Sequence, residues 1–277
     1  MSRSLLKLLA CPSCGNSELE YIVSDESVDN VSSQLADVAL LICSSCDQWY
    51  PIENRIVCLL PDRLRVRSAD EAFIDKHGAF FGVSICKHLS AVNATRSYSS
   101  DASEFFSYFD VPIRIAKDRT KNKNHQLKFE EILRGIGAIE NGICLELACG
   151  NGTHASSLLE VYPDASYVGV DIAPMRLRET RQRLGDYRNI LRVQATLDVL
   201  PFRANTFSAV YMVSALQYLE DPEIGLNEAR RVLADDGSFV SLDYNPQCYA
   251  SALGLIQKKQ EYDTQLDQCL YEKMSKE

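Results

Sequence analysis

Four cysteines and one acidic strand end offer the most direct chemistry in this chain. Cys11 and Cys14 form one C-x-x-C pair, Cys43 and Cys46 another, and 28 residues lie between the pairs. Each pair places two thiolates on one ion, and four thiolates close a tetrahedral zinc site with no open position, so such a site is structural. Gly15 frees the first turn to aim backbone amides at the sulfurs. The paired spacing favours this reading over four reduced cysteines packed in a core. Farther on, residues 143–152, ICLELACGNG, run from apolar side chains into small ones, and Asp171 follows 19 residues after Gly152. A carboxylate at that distance can accept hydrogen bonds from both hydroxyls of a ribose whose other end rests on the glycine loop. The ligand this spacing predicts is a nucleoside.

Two strands and a helix must hold these groups. Cys144, Leu145 and Leu147 suit a strand covered on both faces, while Gly150 and Gly152 permit positive φ or a close main-chain approach to a ligand. Residues 153–161 read as the following helix, so the free amides of the loop point above the strand end. Residues 167–171, YVGVD, make the second strand. Beyond it, Pro174 suits a first helical position, 175–184 is a helix, and 190–193 is a third strand. Residues 207–213 form the fourth strand, 222–233 a helix ended by a turn at Gly237, and 238–243 the fifth strand. Alternation of this kind predicts a doubly wound sheet of five parallel strands.

From about 126 to 244 the chain resembles the class I methyltransferases that use S-adenosylmethionine. LELACGNG, VGVDIAP, LPFRANTFSAVYMVSALQYLEDP and EARRVLADDGSF carry the resemblance in that family's order and spacing. It implies a Rossmann-like fold and enzymatic activity. It also implies that Glu146 helps hold the methionine amino end and that Ala148, Gly150 and Gly152 give the close main-chain approach. Asp171 takes the ribose hydroxyls, Ile172 packs on adenine, and the backbone at Leu197 meets the adenine edge. Ala148 stands where many members have glycine, and its methyl group is expected at negative φ. Thr196 stands where members often carry an aspartate for the adenine amino group, and Asp198 is the nearby substitute. Gln217 and Tyr218, after the fourth strand, lie on the side where substrates bind, in place of a histidine common among small-molecule members. His125 and His154 read as surface or packing residues, and Cys149 as a small packing residue.

From about Leu5 to Pro61 the chain resembles a zinc-ribbon family that includes a small activator of several methyltransferases, on the sequences LLKLLACPSCGNSELEY and LICSSCDQWYPIENRIVCLLP. Short β-prone runs at 39–43 and 55–60, joined by a turn at 51–54, agree with such a ribbon, and a unit this small needs its metal for stability. Three parts result: a zinc ribbon over 1–61, a partly helical connector or lid over 62–125, and a cofactor-binding methyltransferase domain over 126–277. Phe73, Phe80, Phe81, Phe105, Phe106, Tyr108 and Phe109 make the connector too apolar to hang free, so part of it should pack on the catalytic domain.

In 277 residues that are 46% hydrophobic there is material for a sizeable core, and no apolar run reaches the roughly 20 residues of a membrane span. The expected compartment is the cytoplasm. A net charge of −9 argues against nucleic-acid binding by bulk electrostatics, although 114–128 holds six basic residues against one acidic. The four arginines at 176, 178, 181 and 183 spread around their helix and read as solvated. Residues 247–277 read as helix throughout, so either the family's last hairpin is missing or the chain is a fragment, and one sheet edge is left open to a protein partner. The leading function is methyl transfer from S-adenosylmethionine to a small-molecule or lipid-like acceptor, with the zinc ribbon as a stabilising or docking module. Two alternatives stay open: an RNA methyltransferase whose ribbon holds the substrate, and a non-catalytic zinc-ribbon interaction protein.

Overall fold

A computed structural model describes residues 3–23, 34–107, 123–137, 139, 142–185, 187–219, 221–243 and 272–275. The alternating strands and helices of the second half build the parallel sheet that the apolar pattern predicts. Its strands are β5 (Ile143–Leu147), β6 (Ser166–Asp171), β7 (Ile190–Gln194), β8 (Phe207–Val213) and β9 (Leu233–Leu242), ordered β7-β6-β5-β8-β9. Between them run α5 (Thr153–Val161), α6 (Pro174–Arg183) and α7 (Pro222–Val232), with α4 (Lys123–Ile136) leading in. Gly237 lies inside β9, so the helix it was expected to cap ends at Val232 instead.

The ribbon is not a separate sheet. Its strands β1 (Leu19–Ile22), β2 (Val38–Cys43), β3 (Trp49–Glu53) and β4 (Ile56–Cys58) pair antiparallel, and β4 then pairs parallel with β7 through Val57↔Val193 and Cys58↔Gln194. One sheet of ten strands results. The amide of Leu59 extends the seam by donating to the carbonyl of Gln194 at 2.9 Å. The edge of β7, a row of open backbone groups if bare, is thereby covered from within the chain. Residues 8–10 dock on 201–203 in the same way, by the bridge Leu9↔Phe202 and the bond from the Ala10 amide to the Pro201 carbonyl at 2.9 Å.

The turn from β3 to β4 falls at Asn54 and Arg55, both at positive φ (55° and 57°). That is the signature of a two-residue type I′ hairpin, so the expected turn at 51–54 moves by one to three residues. Pro51 consequently lies inside β3, opposite Leu40 and beyond the two residues that β4 pairs.

Period-two alternation sorts β2 between two layers. Ala39, Leu41 and Cys43 face the core shared with the parallel sheet, whereas Leu40 and Ile42 join Trp49, Phe73, Phe81 and Leu89. Those phenylalanines and Leu89 come from α1 (Arg67–Phe81) and α2 (Val83–Thr95), so these connector helices pack on the ribbon rather than, as expected, on the parallel-sheet half. The reason is the second apolar face of β2 and β3, which a ribbon of this size cannot bury alone. A short α3 (Ala102–Ser107) follows, and most of the expected basic stretch, 108–122, lies outside the described residues.

A buried ion network locks this layer. Asp70 accepts from Arg65 Nε at 3.0 Å, from Arg96 at 2.7 Å and from the Tyr98 hydroxyl at 2.8 Å, while Arg96 also binds Gln48 and the Trp49 carbonyl. The Trp49 ring lies under both guanidinium groups, 4.9 Å from Arg65 and 5.3 Å from Arg96. Burial opposes the charge on Arg65, but Asp70 outweighs it and raises the arginine's pKa.

At the opposite edge, β10 (Glu272–Ser275) pairs antiparallel with β9. The reading of 247–277 as helix throughout is therefore wrong at 272–275, and the β9 edge is covered there. Residues 247–271 lie outside the described residues. Among the described residues no helix is long and apolar enough to cross a membrane.

Candidate functional site

Adjacent parallel strands β5 and β6 end side by side, and their ends meet. The Gly150 amide donates to Asp171 Oδ2 at 2.8 Å, and the Ala173 amide donates to Oδ1 at 2.9 Å. Loop and carboxylate thus form one wall, rather than two grips at opposite ends of a ligand. Asp171 is 8% exposed, and burial, only partly offset by the two amides, lifts its pKa above the ordinary carboxylate value.

The loop itself turns through three left-handed residues: Ala148 (φ 52°), Gly150 (54°) and Gly152 (73°). Ala148 was expected at negative φ. The bend requires the left-handed region, at about 1–2 kcal/mol for an L-residue. Gly152 is needed for packing too, because a Cβ there would lie 3.0 Å from Thr180 Cγ2 on α6. Helix α6 holds the loop in return: Thr180 Oγ1 donates to the Gly150 carbonyl at 2.7 Å and Arg183 Nε to the Asn151 carbonyl at 3.0 Å. Cys149 is buried against Ile56 and Leu177, and that burial pushes its thiol pKa well up. A neutral packing side chain results.

Glu146, 1% exposed on the central strand, has Oε2 fixed by the hydroxyls of Tyr167 (2.6 Å) and Tyr211 (3.0 Å), and its Oε1 lies 3.5 Å from His154 Nδ1. Both tyrosines are held protonated, first by burial and then by the neighbouring Glu146. Sequence reasoning missed them. Their one signal is a tyrosine at an interior position of each strand flanking β5. His154, expected as surface or packing, lies beside this buried carboxylate.

The remaining candidates line the same carboxyl ends. Ile172 follows Asp171 and its carbonyl accepts from Gln194 Nε2 at 3.1 Å, and Leu197 is buried just beyond β7. Asp198 accepts from the Thr196 hydroxyl and pairs with Arg63, a connector residue with no motif to announce it. Gln217 and Tyr218 occupy a short 3-10 turn (Leu216–Tyr218) after β8, with Tyr218 78% exposed. Asp243, at the end of β9, holds that turn by accepting from the Ala215 and Leu216 amides at 2.8 and 3.0 Å. Ser214 enters it at φ 54°. Asp243 was read only as the end of a strand, although like Asp171, three strands away in the same sheet, it collects two backbone amides.

In the ribbon, Cys11, Cys14, Cys43 and Cys46 bring their sulfurs within 4.8 Å of one another. Sulfur bonds of about 2.3 Å to a tetrahedral ion require sulfurs about 3.8 Å apart. The separations of Cys11 from Cys46 and of Cys14 from Cys43, 3.6 Å each, fit. Each turn closes alike, with Gly15 and Asp47 at positive φ and their amides donating to the carbonyls of Cys11 (2.8 Å) and Cys43 (3.0 Å). Backbone amides also reach the sulfurs; that of Asn16 is the main reason the Cys14 pKa falls to about 7. The Tyr50 hydroxyl lies 3.1 Å from the Cys11 sulfur.

Comparison with known proteins agrees with both halves. Residues 145–241 match the family model described as a methyltransferase domain, and residues 2–54 match that of Trm112p-like protein. The chain is 37% identical over 101 residues to the malonyl-[acyl-carrier protein] O-methyltransferase of Geobacter sulfurreducens, covering 36% of this chain and 38% of that protein. To the 2-phytyl-1,4-naphtoquinone methyltransferase of a Nostoc species it is 31% identical, covering 44% and 55%. It thus spans less than two thirds of the length of these relatives. A chain in the complex between the Haloferax volcanii Trm112 methyltransferase activator and a methyltransferase aligns at 21% identity and TM-score 0.43, over 56% of this chain and 66% of that one.

Proposed function

We propose that this chain, a methyltransferase domain led by a Trm112p-like domain, transfers methyl groups from S-adenosylmethionine to a small-molecule or lipid-like acceptor. Its working parts are a zinc ribbon over 1–61, a connector over 62–125 and a cofactor-binding unit over 126–277. The observation that carries the proposal is the wall made by the Gly150 amide and Asp171 at neighbouring parallel strand ends, within a stretch that matches the methyltransferase domain.

When bound, the cofactor supplies a methyl group on a sulfonium, open to in-line displacement by the acceptor. Asp171, oriented by two amides, keeps lone pairs for both ribose hydroxyls. Ala148, Gly150 and Gly152 provide the close main-chain approach, Ile172 covers the adenine face, and the Leu197 backbone meets its edge. Asp198, steadied by Thr196 and Arg63, takes the adenine amino group. Glu146 acts through neighbours, since two tyrosine hydroxyls pin Oε2 and its other oxygen faces His154, toward the methionine amino end. Gln217 and Tyr218 orient the acceptor, and the amide of Gln217 removes no proton. The four ribbon thiolates hold one structural zinc ion. Relatives named for a carrier-protein thioester and a naphtoquinone, with a net charge of −9, support a small acceptor over RNA.

Calorimetric titration tests this reading. Wild-type protein should bind S-adenosylmethionine at micromolar concentration, and Asp171→Ala should weaken binding at least about tenfold, the loss of one charge-assisted hydrogen-bond pair. Absence of binding at high micromolar cofactor overturns the proposal. Label from methyl-labelled cofactor should enter small metabolites of a fractionated extract, and its entry into RNA would overturn the acceptor class.

A further inference from the structure

A cavity of about 470 Å³ opens where the ribbon hairpin meets α6, lined by Asn54, Arg55, Arg178, Arg181, Gln182 and Arg192 among others. The four guanidinium groups come from three separate elements. Arg55 sits in the β3–β4 turn, Arg178 and Arg181 one turn apart on α6, and Arg192 on β7, where it is 2% exposed and lines the cavity from inside. The four arginines of 176–183 are therefore not simply solvated: Arg176 pairs with Glu179, Arg183 binds the glycine loop, and the other two line this cavity.

Like charges brought this close repel. Asp37 is shared between Arg55 (3.3 Å) and Arg181 (3.0 Å), and it cannot neutralise both. Arg178 has no hydrogen-bond or ion-pair partner among the described residues. Burial, with the charges of Arg181 and Arg55 acting in the same direction, lowers the Arg192 pKa to about 10. Arg55 also stands at φ 57° in the second central position of a type I′ turn, where glycine is favoured. The chain thus tolerates strain and repulsion to gather planar, fork-shaped donors around one space, the donor set that matches phosphate oxygens bidentately.

We infer that this cavity binds the phosphate or pyrophosphate group of a small phosphorylated ligand. It is distinct from the proposed cofactor site, whose ligand carries no phosphate. A buried arginine on the inner wall is reached by a terminal phosphate group, not by the continuous backbone of a nucleic acid, and the net charge of −9 repels such a polymer. Helix α6 joins the two places, because Thr180 and Arg183 grip the glycine loop from the helix whose Arg178 and Arg181 line the cavity. An occupied cavity should therefore steady that loop.

The test is calorimetric titration of the full chain with inorganic pyrophosphate at constant ionic strength. Saturable binding at one site per chain is expected, weakened at least about tenfold in Arg178→Gln and in Arg192→Met. Circular dichroism should show both variants folded, and Arg178→Gln, at an exposed site, serves alone if the other does not fold. No saturable heat up to about 10 mM pyrophosphate, a limit that corresponds to negligible affinity, overturns the inference. Equal binding by wild type and Arg178→Gln overturns it as well, as does binding of an RNA oligomer without binding of pyrophosphate.

Discussion

Arg65 and Arg96 lie against one face of the ribbon, and Arg55, Arg178, Arg181 and Arg192 gather at its seam with α6. The first pair closes on Asp70, with Asp62 3.2 Å from Arg96 and the Trp49 ring beneath both. At the seam Asp37, half exposed, is shared by Arg55 and Arg181, and a cavity remains among the four guanidinium groups. Arginine burial alone does not separate structural from ligand-directed roles. Open space beside the guanidinium groups does, since it leaves their fork of donors room for a ligand.

Removing the proposed zinc ion should disturb both clusters most. Trp49 and Gln48 follow the second cysteine pair directly and Arg55 lies one strand later, so both depend on a folded ribbon. Apparent zinc-binding free energies of about 10–16 kcal/mol in small zinc peptides set the scale. Chelation or Cys43→Ser is expected to abolish the one metal ion per chain, by elemental analysis, and to lower the melting temperature sharply. An unchanged melt would mean that the cysteines do not hold the ribbon together.

Next in size is Asp70→Asn, which leaves two buried guanidinium groups facing a neutral amide. About 3–5 kcal/mol should be lost in urea unfolding, the usual result of orphaning a buried charge. A loss under about 1 kcal/mol would erase the distinction between the clusters. Arg178→Gln should be the smallest change, within about 1 kcal/mol of wild type in either direction and without ligand, because the side chain is exposed and its charge lies among other cations. A cost as large as that of Asp70→Asn would class Arg178 with the structural network.

Much of the wall formed by loop and carboxylate was readable from residues 143–171, because a buried strand, a small-residue loop and a strand-end carboxylate leave local traces. The cysteine pairs were equally plain. Three other features were not. Pairing of β4 with β7 joins a three-residue strand to one more than 130 positions away, and no local pattern encodes it. The destination of α1 and α2 depended on the second apolar face of β2, visible only once Leu40 and Ile42 had a known side. Ala148 misled because its residue type argues for negative φ while the neighbouring turn imposes the opposite sign. Arg63, Tyr167, Tyr211 and Asp243 share another reason: each acts by steadying a partner distant in sequence, and that role leaves no spacing to read.

The parallel seam between Val57 and Val193 has a consequence for assembly. Since both strands belong to one polypeptide, dilution cannot part them, and the local concentration of the ribbon at that edge is fixed by the tether rather than by expression level. A strand from a second molecule would therefore meet a paired β7 edge rather than a bare one, at any dilution.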